Sequence, residues 1–238
     1  MSQIIEKYQK KVLKILSGRM GEFYLVGGTA LSLYYFDHRE SQDLDFFTQN
    51  FSRKAVEEIV GFISAALKKK ITLRAQQSNI RFIKMAVYAI PIRGEKSLKV
   101  DFVEDYTRLI KRLKTIDGIK VASLEDIYIR KIYAITGTVE SQDFVGRNIT
   151  IGSRQEAKDF FDLYCLSHTF LRLSEFSFKY CGPTVREGVV RWFRTYSRLD
   201  MKTGLMELNL RNPADYNLIE RHFNREINRI IDREVDIK

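Results

Sequence analysis

The sequence predicts an α+β chain: a small mixed β-sheet flanked by helices, followed by a C-terminal helical domain. Three observations carry this. A short apolar strand, a Gly-Gly break, a helix and a second strand follow one another between Phe23 and Thr48. Three more β-type segments, 71–77, 80–88 and 98–103, are separated only by Gln77-Ser-Asn79 and a loop from Pro91 to Lys96, so they read as a meander and the sheet cannot be wholly parallel. After Asp117-Gly118 helical periodicity takes over, which sets the domains at 1–117 and 118–238.

In chain order, Ile4, Ile5, Tyr8, Val12, Ile15 and Leu16 recur at helical spacing with lysines between them, giving an amphipathic helix that Ser17-Gly18 ends. Phe23–Val26 is a short strand. Gly27-Gly28 breaks it, and Thr29 opens a helix to Phe36, its hydroxyl suiting an N-terminal position. Asp43–Thr48 is the second strand, with Asp43 and Asp45 on one face because strand side chains alternate. Residues 53–69 place Val56, Ile59, Val60, Ile63 and Leu67 on one side of a helix. Later helices are expected at 123–136, where Ser123 caps and Glu125 and Asp126 favour the positive end of the dipole, at 154–168, around 174–200 and at 215–233.

With 45% hydrophobic residues, 3 prolines and no repeat, the 238-residue chain should be folded throughout. Its longest apolar run, Met85–Ile92, is far short of the roughly 20 residues that span a bilayer. The charged N-terminal residues do not form an export signal, so Cys165 and Cys181 read as reduced thiols and the expected compartment is the cytoplasm. The net charge of +10 is unevenly spread: residues 52–99 hold 11 basic and 3 acidic side chains, among them the run Lys68-Lys69-Lys70. Such a field attracts polyanions; a solvated basic surface is the plain alternative.

The stretches Leu25-Val-Gly-Gly-Thr-Ala-Leu-Ser-Leu33 and His38-Arg-Glu-Ser-Gln-Asp-Leu-Asp-Phe-Phe47 carry the chemistry. A glycine turn before a helix lets backbone N–H groups approach a phosphate, and two carboxylates on one strand face suit a divalent ion between them. Carboxylates two apart stand roughly 7 Å apart along a strand, a spacing that can serve a two-metal site. Asp101, on the later strand Leu98–Val103, completes a three-carboxylate cluster if that strand lies beside Asp43–Thr48. Each piece has a plainer reading, as a tight turn, a chance D-x-D or a strand-end acid; their order along the chain is what makes them informative.

This wording resembles the nucleotidyltransferase signature of the polymerase-beta-like superfamily, and more closely the AbiEii/AbiGii-type toxins, including the MenT-like group. Lys131, within Glu125–Ala134, and Lys158-Asp-Phe-Phe-Asp-Leu-Tyr164 extend the likeness to residues from about 23 to 166. The resemblance implies a nucleotidyltransferase fold whose helical domain closes over the nucleotide, and transfer of a nucleoside monophosphate from an NTP to an acceptor hydroxyl. It implies that Gly27, Gly28 and Ser32 approach the triphosphate, with Arg39, Ser41 and Lys158 also on the nucleotide. Asp43 and Asp45 would hold Mg²⁺, with Asp101 a third ligand or the base, and Lys131 would neutralise phosphate charge. Asp159 and Asp162, three apart on a helix, would position Lys131 or the nucleotide. The implied partners are an RNA acceptor of the tRNA class and a separately encoded antitoxin.

Two departures stand out. The arginine usual soon after the helix lysine is missing, leaving Arg147 or Arg154 to replace it, and Lys158 stands where an arginine is usual, keeping the charge without the bidentate fork. His38 and Arg39 read either as substrate contacts or as turn packing. His168 and His222 lack zinc-site spacing. Trp192, Phe193 and Tyr196 read as a core face, and Arg191, Arg194 and Arg198 as one basic helix face. Nucleotidylation of a small molecule or a protein, and a non-catalytic binder that kept the fold, are the alternative functions.

Overall fold

Seven strands between Tyr24 and Val121 form one mixed sheet in a computed structural model that describes residues 3–79, 83–137, 139–142, 146, 148–151 and 153–236. The strands are β1 (Tyr24–Val26), β2 (Asp43–Thr48), β3 (Thr72–Gln77), β4 (Met85–Pro91), β5 (Ser97–Glu104), β6 (Lys114–Ile116) and β7 (Ile119–Val121), in the spatial order β3-β4-β5-β2-β1-β7-β6. β3, β4 and β5 are the expected meander, each antiparallel to the next. Residues 80–82 of the segment predicted at 80–88 lie outside the described residues. β5 then runs parallel to β2, which closes antiparallel on β1.

Alternation explains which face is core. Leu44 and Phe46 of β2 and Leu98, Val100 and Phe102 of β5 are all buried, while Asp43, Asp45 and Phe47 are half-buried. Phe102 stacks on Phe46 at 5.5 Å and meets Phe23 edge-on at 5.3 Å. Helix α1 (Gln3–Leu16) buries Val12, Leu13 and Leu16; α3 (Arg53–Leu67) buries Val56, Ile59 and Ile63, and the two helices pack together. The Ser52 hydroxyl caps α3 by accepting from Ala55 N–H, and Lys68 ends it in the left-handed region at φ 52°.

The helix predicted over 29–36 begins earlier, at Gly27, and changes winding: α2 (Gly27–Leu31) passes directly into a π-helical turn, Ser32–Phe36, which Asp37 closes at φ 44°. Asp117-Gly118, where the sequence reading sets the domain boundary, forms the turn of the β6–β7 hairpin, with φ of 51° and 75°. Two successive residues at positive φ match the twist of a tight hairpin. The chain divides by its internal contacts at a later point, into Met1–Asp126 and Ile127–Lys238, inside α4 (Leu124–Thr136). Ser123 caps α4 as expected, accepting from Asp126 N–H at 3.0 Å.

The second unit contains α5 (Ala157–Thr169), α6 (Leu173–Tyr180), α7 (Pro183–Thr195), α8 (Arg198–Glu207) and α9 (Tyr216–Asp236), with a two-stranded hairpin, β8 (Val139–Gln142) and β9 (Asn148–Ile151), that helical periodicity gave no sign of. Phe160 is the hub of its core, 5.0 Å from Phe223, 5.5 Å from Tyr196 and 6.3 Å from Trp192 between ring centres. Trp192, Phe193 and Tyr196 are thus core residues. Arg191 and Arg194 lie on α7, but the chain leaves the helix at Tyr196-Ser197 and Arg198 begins α8, so the expected single basic face does not exist. Among the described residues no helix is long and apolar enough to cross a membrane.

Candidate active site

The parallel pairing of β2 and β5 sets Asp45 opposite Asp101 and Asp43 opposite Lys99. Partnered residues in a sheet share a face, so these four side chains stand together on the side away from Phe46 and Phe102. Asp101 is buried, Asp43 and Asp45 half-buried, and Lys99 exposed. Lys99 Nζ pairs with Asp101 Oδ2 at 2.5 Å. Burial works against the Lys99 ammonium, but the Asp101 hydrogen bond and the charges of Asp101, Asp43 and Asp45 outweigh it and raise its pKa above the ordinary lysine value.

Several groups fix the start of β2. Gln9, a buried residue of α1, donates from Nε2 to the carbonyls of Ser41 (3.0 Å) and Asp43 (2.9 Å). Thr29 of α2 hydrogen-bonds with the Ser41 hydroxyl at 2.7 Å and with the Asp43 carbonyl. The Ser32 hydroxyl is buried and donates to the Arg39 carbonyl at 2.6 Å. Arg39 is buried as well, donating from Nη1 to the Glu40 carbonyl at 3.0 Å. His38 is buried, edge-on to Phe36. Ser32, Arg39 and Ser41 therefore form the framework of the loop that carries Asp43.

The two glycines answer to that framework. Gly27 lies at φ +73°, and a Cβ there would stand 2.6 Å from Asp45 Oδ2; a Cβ on Gly28 would run into the Arg39 guanidinium. Glycine at 27 supplies a backbone conformation that side chains resist and keeps open the space beside the Asp45 carboxylate. Carboxylate oxygens are the ligands that hard divalent cations take, so Asp43, Asp45 and Asp101 fit such an ion chemically. They are not gathered as a finished ligand set: among the described residues no group of three or more His, Cys, Asp and Glu side chains is close enough to hold a metal. The ammonium of Lys99 is what meets Asp101.

In the second unit Lys131 is buried with Nζ 2.7 Å from Asp159 Oδ1 and 2.6 Å from Asp162 Oδ2. Arg154 approaches Asp159 as a fork, Nε to Oδ2 at 2.5 Å and Nη2 to Oδ1 at 3.2 Å, with about half of its side chain exposed. Burial pushes the Asp159 carboxyl up, but the charges and hydrogen bonds of Lys131 and Arg154 prevail and hold it below the usual carboxylate range. Two carboxylates and two cations leave this cluster neutral. Lys158 is not part of it; its ammonium pairs with Glu156 at 2.8 Å. Arg147 lies outside the described residues.

Of the contributors, Gln9 and Lys99 were not singled out in the sequence. Gln9 had a signal, a polar residue on the buried stripe of α1 between Ile5 and Val12. Arg154 was one of two candidates for the missing arginine, and sequence alone could not place it on Asp159.

A family model for the nucleotidyl transferase AbiEii toxin of type IV toxin–antitoxin systems matches residues 12–236. The chain belongs to this family. Its AbiEii fold is similar to two crystal structures from Helicobacter pylori. One is a protein assigned as a nucleotidyltransferase, at 16% identity and TM-score 0.59, with 96% of each chain covered. The other is JHP933, at 17% identity and TM-score 0.59, covering 99% of this chain and 96% of that one. No curated protein matches. This AbiEii protein is thus a nucleotidyltransferase toxin, of a family that generally uses a divalent metal and works with a nucleotide substrate and an antitoxin partner.

Gly27→Ala should place a methyl group against Asp45 and strain a left-handed residue, at a stability cost on the order of 1–2 kcal/mol. A carboxylate displaced by about 1 Å should cost roughly 100-fold in nucleotidyl transfer. Turnover assays beside thermal melts would show this, and an unimpaired rate would remove Gly27 from the site. For Asp159, ionised pairing adds stability above the ordinary carboxyl pKa and is lost as pH falls through the lowered one. Urea unfolding should find Asp159→Asn less stable by about 3 kcal/mol at neutral pH. As pH falls below the ordinary carboxyl range and through the lowered one, the gap to wild type should narrow; a gap independent of pH would contradict the pairing.

Proposed function

We propose that this AbiEii toxin transfers a nucleoside monophosphate from an NTP to a hydroxyl group of a tRNA-class RNA, with Mg²⁺ as its metal and the cytoplasm as its compartment. The observation that carries the reading is the pairing of Asp45 with Asp101 on the sheet face where Gly27 leaves room beside the carboxylate. In this reading Asp43 and Asp45 hold the ion, and Asp101 is the third carboxylate beside them. The ion supplies charge stabilisation at the phosphates. The acceptor oxygen forms a bond to the α-phosphorus as the bond to the bridging α–β oxygen breaks. The hydroxyl proton passes to Asp101, and pyrophosphate leaves with the electron pair.

The remaining residues divide by task. Gln9, Thr29, Ser32, Arg39 and Ser41 hold the Asp43 loop in shape through the hydrogen bonds described above. Asp159 and Asp162 fix the Lys131 ammonium, and Arg154 shares the Asp159 carboxylate with it, so the group acts as a charge-balanced framework.

The basic segment supports an RNA acceptor only in part. Lys69 is committed within the fold, donating to the Pro91 and Ile92 carbonyls at 2.6 and 2.8 Å with its ammonium over the Tyr8 ring. Lys68 and Lys70 are exposed.

The experiment is incubation of the purified protein with each α-³²P-labelled NTP, Mg²⁺ and total bacterial RNA, resolved on a denaturing gel. Label in a tRNA-sized band is expected with wild type and absent with Asp45→Ala; label that persists in the variant would refute the metal assignment, and unlabelled RNA the acceptor. Replacing Lys68 and Lys70 together by Glu, with Lys69 kept, should weaken tRNA binding and reduce its salt slope by about 2. An unchanged slope would leave these lysines as a solvated surface.

A further inference from the structure

The Asp43, Asp45, Lys99 and Asp101 constellation brings three carboxylates and one ammonium to a single sheet face. Both of its strands are pinned: β2 by Gln9 and Thr29 at its start, and β5 by β2 and β4 on either side. The backbone positions of the three acids are therefore fixed relative to one another, and a nearby positive charge eases their mutual repulsion. Lys99 supplies it. Its register position opposite Asp43 and its ion pair with Asp101 put the ammonium within reach of all three acids. About half of its side chain is exposed, against an eighth of that of Asp101, so the lysine sits on a flexible stem at the solvent edge while its partner does not. Counted over these four groups the face keeps two negative charges even with Lys99 in place.

We propose that Lys99 is a resident counter-cation that a divalent metal exchanges for when it binds this face, its ammonium leaving Asp101 for solvent as the ion takes the carboxylate. The inference rests on the metal reading above and adds a device to it. The lysine keeps the acidic face together before loading and competes with the ion for Asp101, so metal affinity is set by the difference between two cations. A strongly hydrated ammonium on a long stem suits that exchange better than a planar guanidinium, which would hold a carboxylate by two bonds.

The test is metal binding by the full chain, read by the electron paramagnetic resonance signal of free Mn²⁺ in wild type, Lys99→Met, Lys99→Arg and Asp45→Asn, with thermal melts of each with and without Mn²⁺. Lys99→Met should bind Mn²⁺ about fivefold more tightly than wild type, the size expected when a half-exposed ion pair no longer competes. Its melting point should rise more on Mn²⁺ addition than that of wild type, whereas Lys99→Arg should bind no more tightly than wild type. Asp45→Asn should lose the site. Equal or weaker Mn²⁺ binding by Lys99→Met, with binding still dependent on Asp45, would overturn the exchange and leave the metal site standing. Absence of any Asp45-dependent Mn²⁺ binding in both wild type and Lys99→Met would overturn the metal reading and the exchange together.

Discussion

Much of the first unit depends on the parallel contact between β2 and β5. It places Asp45 directly across from Asp101, and like charges facing each other across adjacent strands oppose the pairing. The sheet accepts that cost because the other face of the same two strands is closed by Leu44, Phe46, Val100 and Phe102, all buried. A slip of one residue would carry the acids into that core and the phenylalanines out of it, so the hydrophobic face fixes the register and the register fixes the acids. The apolar side of the sheet thereby sets the geometry of the polar side.

The same constraint accounts for the loop before β2. Asp43 opens its strand, where a free end would let the carboxylate wander. Gln9 from α1 and Thr29 from α2 both bind the Asp43 carbonyl, so two separate elements converge on one peptide group. Satisfying a buried glutamine amide requires the Ser41 and Asp43 carbonyls to be where they are. Gly27 and Gly28 complete the arrangement by lacking the atoms that would collide with Asp45 and Arg39. The glycine pair is thus explained by side chains approaching from β2 and its loop, whatever the backbone there also does for a phosphate.

The sequence revealed most where a short-range rule governs. Alternation put Asp43 and Asp45 on one face, helical spacing placed α1, α3 and α9, and the order strand, glycines, helix, strand was visible directly. Asp101 was legible only conditionally, because strand neighbours in a sheet are not written in sequence spacing. The Asp117-Gly118 pair was ambiguous for a related reason: the same two residues serve a linker or a hairpin, and the brief strands beside them, 114–116 and 119–121, are too short for periodicity to register. The break of α7 at Tyr196-Ser197 was hidden because the arginines on either side keep helical spacing through it. Lys99 was counted as one charge in a basic segment, although its place two residues before Asp101 put it on the same strand face, and Arg154 reached Asp159 through tertiary folding alone.

Two of the polar clusters among the described residues solve opposite problems. Around Lys131, two carboxylates meet two cations, Asp159 and Asp162 are fully buried, and the balance is internal; such a group fixes side-chain positions and resists change because breaking one pair strands a buried charge. On the β2–β5 face Asp43, Asp45 and Asp101 stand with Lys99 at a solvent edge, and the ion pair there is half exposed. A buried cluster serves rigidity, and a half-exposed pair can exchange its partners. That contrast follows from residue identities and strand register, and it is the exposed face that the proposed reading assigns to a divalent cation.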